Sequence, residues 1–285
     1  MLSYGLSFKL PRLGQSLVGK PQVAQVKRGE DFSDVAERFR VGYYEILEAN
    51  PGINPDKPPV NTVLVVPTQY ILPHNLPQDT IFINLAEMRL YYQPKVENKV
   101  YIFPIGIGKE GWNTPTGEMT VIKKTKAPTW HMPLSIFNWR NSTGEKNITR
   151  VVPPGPENPL GAYALYLSKS GYLIHGTNLP AGIGRRSTAG CIRLYNDDME
   201  LLFNMVKVGT KVKSVNEPYK AGWQGKKLYL EAHMPLFEER LKTGGDIKPA
   251  LDVVSNAILG RNTKIDWKKV EKIAKEHLAI PRVVN

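Results

Sequence analysis

Of 285 residues only one is cysteine, Cys191, and only five are histidine, His74, His131, His175, His233 and His277. A lone thiol makes no intramolecular disulfide, so the redox compartment is not legible from cysteine pairing. It also excludes a two-cysteine redox site. The histidines are widely spaced, with neither CxxC nor HxxxH spacing, so no metal site is expected. Long hydrophobic runs are missing as well: no apolar stretch approaches the roughly 20 residues that cross a bilayer, and no transmembrane segment is expected. The opening MLSYGLSFKLPRLGQSLVGK lacks the apolar core and small-residue cleavage site of a signal peptide, so the chain reads as cytosolic or as a mature form restarted at Met1.

An acidic balance is also absent. Lys and Arg number 38 against 26 Asp and Glu, a formal charge of +12. The basic residues are spread along the chain, grouping only in KKTK (123–126) and GKK (225–227). No zinc-finger, homeodomain or RNA-binding signature accompanies them, so nucleic acid is not an expected partner. A basic surface suits an acidic polymer such as cell wall equally well. With 41% hydrophobic and 22% charged residues, the chain can bury a sizeable core, as two domains or as one large domain with a small companion.

Residues 22–68 read as a small βααβ unit behind a lead segment, 1–21. A short strand (Val23–Val26) precedes RGED and a helix with Val35, Ala36 and Phe39 at helical spacing. A second helix from Val41 carries Tyr44, Ile46 and Leu47 and stops at NPGINP, after which TVLVVP closes the unit as a strand. This order resembles the lysin motif (LysM), a module that binds N-acetylglucosamine-containing glycans. Val26, Gly29, Glu30, Ala36, Phe39, Leu47, Asn50, Ile53 and Pro67 carry the resemblance. An anonymous βααβ packing unit is the alternative.

The proline-bearing 69–80 reads as a linker. From 81 to 216, short β-rich runs such as IFINLAEMRLYYQ, KVYIFPIGIG and GYLIHGT, punctuated by Gly and Pro, point to a mostly antiparallel β-domain. One helix is expected near Asp198–Val206, opened by an Asp197/Glu200 capping box or by Asn196. Residues 217–285 read as a partly helical extension packed on the β-domain. It contains KKLYLEAH as a strand, PALDVVSNAIL as a helix, and DWKKVEKIAKEHL as an amphipathic helix with Trp267, Val270, Ile273, Ala274 and Leu278 on one face.

An isolated cysteine is most often a small buried hydrophobe. The setting of Cys191 argues otherwise, because STAGCIRL surrounds it with Ser187, Thr188, Gly190 and Arg193, and glycine lets a substrate carbonyl approach closely. His175 ends the strand-like GYLI and is followed by Gly176; if the glycine-rich loop brings the two strands together, its imidazole can take the thiol proton and return it to a leaving amine, which spacing alone does not establish.

The stretches PPGPENPLG, YLIHGT, GIG and GCIRL, with TPTGEMTV (114–121), INLAEMRLYY (83–92) and PIGIG (104–108), resemble the catalytic domain of the L,D-transpeptidases, cysteine enzymes of bacterial peptidoglycan. With a LysM ahead of it, the whole chain is similar to the periplasmic Gram-negative branch that includes enzymes attaching the major outer-membrane lipoprotein to peptidoglycan. The resemblance implies an antiparallel β-sandwich and a periplasmic setting. Cys191 would be the nucleophile and His175 its partner, with the Gly176 backbone carbonyl orienting the ring. Gly190 and Cys191 would supply oxyanion N–H groups from the loop. Arg193 would order that loop or meet a stem-peptide carboxylate, with a purely structural salt bridge as the alternative, and Thr188 and Ser187 would also face substrate. The implied partners are peptidoglycan stem peptides and glycan, and a lipoprotein acceptor in the anchoring branch; no cofactor is implied. Many members read Ser-His-Gly-Cys where this chain has Thr188-Ala189-Gly190-Cys191, so a second histidine beside the thiol is absent and cannot be the base. His131, in the aromatic APTWHMPLSIFNW (127–139), is either a second imidazole or a solvated residue on a packing loop.

Overall fold

The computed structural model describes residues 6–285, so Met1–Gly5 of the lead segment lie outside the described residues. The central element is a nine-stranded sheet. Its order is Leu6–Lys9, Lys99–Pro104, Arg89–Tyr92, Thr80–Asn84, Lys211–Val215, Gly117–Lys126, Tyr163–Leu167, Leu173–His175 and Ile192–Arg193. Alternate residues of these strands fill one core, including Ile81, Ile83, Leu90, Phe103, Val121, Leu165, Ile174 and Ile192, against which the helix Asn196–Met205 lays Met199 and Leu202.

The mostly β architecture matches the sequence expectation, but two ladders of the nine-stranded sheet run parallel rather than antiparallel. Thr80–Asn84 pairs with Lys211–Val215, and Leu173–His175 with Ile192–Arg193. Alternation reports which face a residue takes, not which way the neighbouring strand runs. Parallel neighbours need a long crossover, and the loop from Gly176 to Cys191 is one of these.

In the first unit, strands Gln22–Gln25 and Val63–Val66 pair antiparallel across two helices, Phe32–Phe39 and Tyr43–Ala49. Asp31 caps the first helix through Ser33 N and Asp34 N, and Asp34 returns the bond to Asp31 N at 2.8 Å. Val41 is buried in the turn, and the second helix starts two residues later than its apolar spacing suggests, at Tyr43. Asn50 explains its place in the motif: buried, it bonds Ile46 O, Val65 O and Val65 N, each at 2.8 Å, tying helix to strand.

The stretch read as a linker is structured, and so is part of the lead segment. Gln69–Ile71 of the expected linker pairs with Leu17–Gly19 of the lead segment, and Tyr70 and Ile71 are fully buried. The C-terminal extension has its own three-stranded sheet, Tyr219–Gln224, Lys227–Ala232 and Arg282–Val283. Helices Lys248–Ala257 and Trp267–Glu276 cover it, around Leu228, Leu230, Val254, Val270 and Ile273. Val270, Ile273 and Ala274 face that core as expected, whereas Trp267 stays exposed.

The three units meet on buried charge. Arg89 donates to Glu45 from Nε at 3.0 Å and Nη2 at 2.7 Å, and from Nη1 to Glu87 at 3.3 Å and to Glu231. Lys220 lies 3.0 Å from Glu87 and 3.4 Å from Glu231. His233 bridges Glu231 at 3.0 Å and Glu48 at 3.1 Å. Burial and Arg89 act to discharge His233, but the two carboxylates overcome them and raise its pKa to about 9. Because the folded value lies above the unfolded 6.5, the stabilisation is fully present below about pH 6.5 and is lost as pH rises through about 9. At about 1.4 kcal/mol per pH unit the shift is worth roughly 3 kcal/mol. Urea unfolding should therefore show wild type losing stability between pH 6.5 and 10 by about that amount more than His233→Gln; parallel curves would mean that His233 is neutral in the fold.

Candidate active site

The floor of the site follows from one strand register. Ile174 opposes Ile192 and His175 opposes Arg193 in the parallel ladder. Both isoleucines are buried in the core, so alternation sends Leu173, His175, Cys191 and Arg193 to the other face. The antiparallel neighbour adds Tyr166, which opposes Leu173. All five line one cavity of about 810 Å³.

The crossover loop sets the thiol at the mouth of its strand. Gly190 has φ +105°, and a Cβ there would meet the Tyr172 ring at 2.9 Å, so a side chain is excluded on both counts. Thr188 Oγ1 accepts the Gly190 N–H at 3.1 Å and donates to Cys191 O at 2.7 Å. Ser187 Oγ donates to Gly182 O at 2.9 Å. Asn196 fixes the loop's start, accepting from Thr177 N and donating to Thr177 O, both at 2.8 Å.

His175 Nδ1 lies 2.7 Å from Gly176 O. A carbonyl oxygen only accepts, so Nδ1 carries the proton and Nε2 is left as the acceptor. Burial, helped by the Arg193 charge and opposed by the Gly176 bond, lowers the His175 pKa to about 3. The ring is therefore neutral throughout the physiological range. Cys191 Sγ makes a long 3.6 Å contact with Gly171 O. Burial pushes its pKa up, and the Leu173 backbone and Arg193 draw it only partly back. The resting pair is thus neutral thiol and neutral imidazole, an acid and a base awaiting proton transfer.

Arg193 is held largely out of solvent, which lowers its pKa. Among the described residues it has no ion pair, and its buried Nε has no hydrogen-bond partner. The salt bridge that would have given it a purely structural role is not formed.

The aromatic segment 127–139 forms a wall of the cavity. Trp130, His131, Pro133, Ile136 and Trp139 line it, on a hairpin of Trp130–His131 with Val151–Val152 and the exposed helix Leu134–Ser142. Lys109 Nζ sits 3.3 Å from the Trp139 ring centroid, and Trp112 meets Trp139 edge-on at 6.5 Å. Asn158, buried, ties the hairpin base through Pro128 O at 2.8 Å and Pro153 O at 3.0 Å. His131 is exposed on this wall, on a different element from the floor strands.

The structure thus brings Cys191, His175 and Arg193 onto one face and places Ser187 and Thr188 at its edge. At three expected positions the groups already have partners within the protein. The Gly190 N–H donates to Thr188 Oγ1 and the Gly176 N–H to Tyr163 O at 3.2 Å, so both are engaged within the protein. The Thr188 hydroxyl is committed to the loop on both sides. The helix Asn196–Met205 has no side-chain cap, because Asn196 bonds Thr177, Asp197 pairs with Arg40 at 2.7 Å and Glu200 accepts from Tyr163 at 2.7 Å. The roles of Asn196, Asn158 and Lys109 carry no spacing signal, since each depends on contacts distant in sequence.

Residues 78–213 match the family model of the L,D-transpeptidase catalytic domain, and residues 24–67 that of the LysM domain. Three similar proteins carry the name "Probable L,D-transpeptidase". YbiS of Escherichia coli K12 is 38% identical over 286 residues, covering 98% of this chain and 92% of its own. ErfK/SrfK of Salmonella typhimurium is 37% identical over 287 residues, covering 98% and 91%. YcfS of Escherichia coli K12 is 41% identical over 240 residues, covering 82% and 74%. Among the described residues no helix is long and apolar enough to cross a membrane.

Proposed function

The chain belongs to the L,D-transpeptidase family, and from that premise we propose that it is a periplasmic peptidoglycan transpeptidase in which Cys191 carries the acyl group and His175 moves the protons. In this reading residues 22–68 hold the enzyme on glycan and residues 81–216 do the chemistry. His175 Nε2 takes the thiol proton, and the thiolate attacks the carbonyl of the third residue, meso-diaminopimelate, of a tetrapeptide stem. The imidazolium gives that proton to the departing amine of D-alanine, and a thioester remains. An amine then attacks the thioester, His175 receiving its proton and returning it to the sulfur. A diaminopimelate amine would give a cross-link, a lipoprotein lysine a wall anchor, and water a hydrolysed stem. Arg193, charged and unpaired beside the sulfur, would meet a stem-peptide carboxylate.

The observation that carries this reading is the shared face of His175 and Cys191, with Nδ1 locked on Gly176 O so that Nε2 is the free base. Incubation with a disaccharide-tetrapeptide should give a Cys191-dependent mass adduct and free D-alanine, and an added amine should divert the thioester to a peptide product. Folded, reduced protein giving neither adduct nor D-alanine would favour a glycan-binding wall protein; an adduct resolved by water alone would make it a hydrolase.

His175→Ala should slow acylation by about 10²–10⁴-fold, the scale of a positioned acid–base group. A single-turnover rate within threefold of wild type would remove His175 from the mechanism.

A further inference from the structure

Thr114 opens the TPTGEMTV stretch and is buried behind the nucleophile loop. Its hydroxyl accepts the Gly108 N–H at 2.9 Å and donates to Gly190 O at 2.9 Å. Because an amide N–H only donates and a carbonyl only accepts, both directions are fixed by the partners and the hydroxyl's single proton is spent on Gly190. Gly108 is anchored in turn: its strand pairs with Arg186–Thr188, and a Cβ on it would meet Trp112 O at 1.9 Å.

The Gly190 carbonyl shares a peptide plane with the N–H of Cys191. In a trans peptide the two groups point in opposite directions, and no cis bond occurs among the described residues. Fixing the carbonyl therefore aims the N–H. That N–H is next to the attacking sulfur, where a donor would stabilise the tetrahedral oxyanion, and the Gly190 N–H is already taken by Thr188. Gly190 is also the residue at which this plane turns most easily, since glycine at φ +105° has few steric barriers to rotation. The Thr188 hydroxyl holds Gly190 N and Cys191 O, and Thr114 holds the carbonyl between them.

We propose that Thr114 is a positioning residue that orients the Cys191 N–H as the oxyanion donor, an inference that rests on Cys191 being the nucleophile. It does not touch substrate; it acts through the Gly190–Cys191 peptide.

The test compares two reactions of the same sulfur. Acylation by a disaccharide-tetrapeptide passes through an oxyanion, whereas alkylation by iodoacetamide is a displacement at carbon that forms none. Thr114→Val, close in shape and lacking the hydroxyl, should acylate about 10–100-fold more slowly, less than or comparable to deletion of an oxyanion donor. Its alkylation should stay within threefold of wild type, and Thr114→Ser should restore acylation to within fivefold. Thr114→Ala, run in parallel, removes the same hydroxyl without the branched side chain and keeps the comparison open if the valine variant does not fold. Acylation within threefold of wild type in both hydroxyl-free variants overturns the proposal, and so does an equal fall in both reactions, which would make Thr114 a support for the thiol rather than for the oxyanion. Wild type without a Cys191-dependent adduct is a separate outcome: it removes the nucleophile assignment and this proposal with it.

Discussion

Cys191→Ala is expected to abolish acyl transfer, by more than about 10⁴-fold, in a protein that still folds and still binds glycan. The loss should be near total because Cys191 is the chain's only thiol, and an oxyanion donor and a base have nothing to act on without it. Stability should change by less than about 1 kcal/mol, since the sulfur makes a long contact with Gly171 O and a backbone contact at Leu173 and is not part of the core. The loop around it is held by bonds that alanine keeps: Thr188 to Gly190 N and Cys191 O, and Thr114 to Gly190 O. Release of D-alanine from a tetrapeptide donor, followed beside a thermal melt and binding to insoluble peptidoglycan, separates the three properties. Turnover that persists in the variant would place the nucleophile elsewhere; a collapsed melt would show that the thiol holds the loop.

Cys191 and His175 could be singled out as candidates because the signal is a local string, HGT followed by a glycine-rich loop and GCIRL, and the contact of the ring with the Gly176 carbonyl followed from the absence of a side chain there. The parallel join that puts them on one face was not legible. Alternating residues look the same in parallel and antiparallel ladders, and only the register Ile174 with Ile192 distinguishes them. The polar letters after GCIRL were ambiguous for a related reason. Asn196, Asp197 and Glu200 have the composition of a helix cap, but each spends its side chain on a group far away in sequence, Thr177, Arg40 and Tyr163 respectively. Local hydrogen bonding and long-range bonding use the same residue types, and topology decides between them.

The units show the same division. The first βααβ unit could be read because its core positions fall at regular spacing. The 69–80 stretch could not, because its prolines mask a three-residue strand whose Ile71 N–H is claimed by Glu231 from 160 positions away. Charges inside the protein were the least legible feature. Arg89, Glu87 and Glu231 are spelled with the letters of a solvated surface, and only the packing of three units around them shows that none is exposed.

Removing Arg89 should therefore cost as much stability as the largest core truncations in the first unit, about 3–5 kcal/mol for Arg89→Met. Burial alone would discharge the guanidinium, but Glu45 and Glu231 more than offset this and hold it charged. Burial likewise works against the charge on Glu231, yet Lys220, Arg89 and His233 keep its carboxyl below the usual range. With Arg89 gone, Glu45 loses its guanidinium partner and Lys220 and His233 are left to balance Glu87 and Glu231. Methionine fills space without supplying a donor, so the penalty is that of stranded charge rather than of a cavity. Arg89→Lys keeps the charge but cannot reach Glu45, Glu87 and Glu231 at once as the planar fork does, and should cost about half as much. Glu45→Gln in the Arg89→Met background should recover part of the loss, because it neutralises the carboxylate that Arg89 contacts through two nitrogens. Urea unfolding of wild type, Arg89→Met, Glu45→Gln and the double variant measures this cycle, with Arg89→Lys run alongside. If Arg89→Met shifts stability by less than 1 kcal/mol, the carboxylates must take up protons or water when their cation leaves, and the three units would then be held together by their apolar contacts and not by the charges between them.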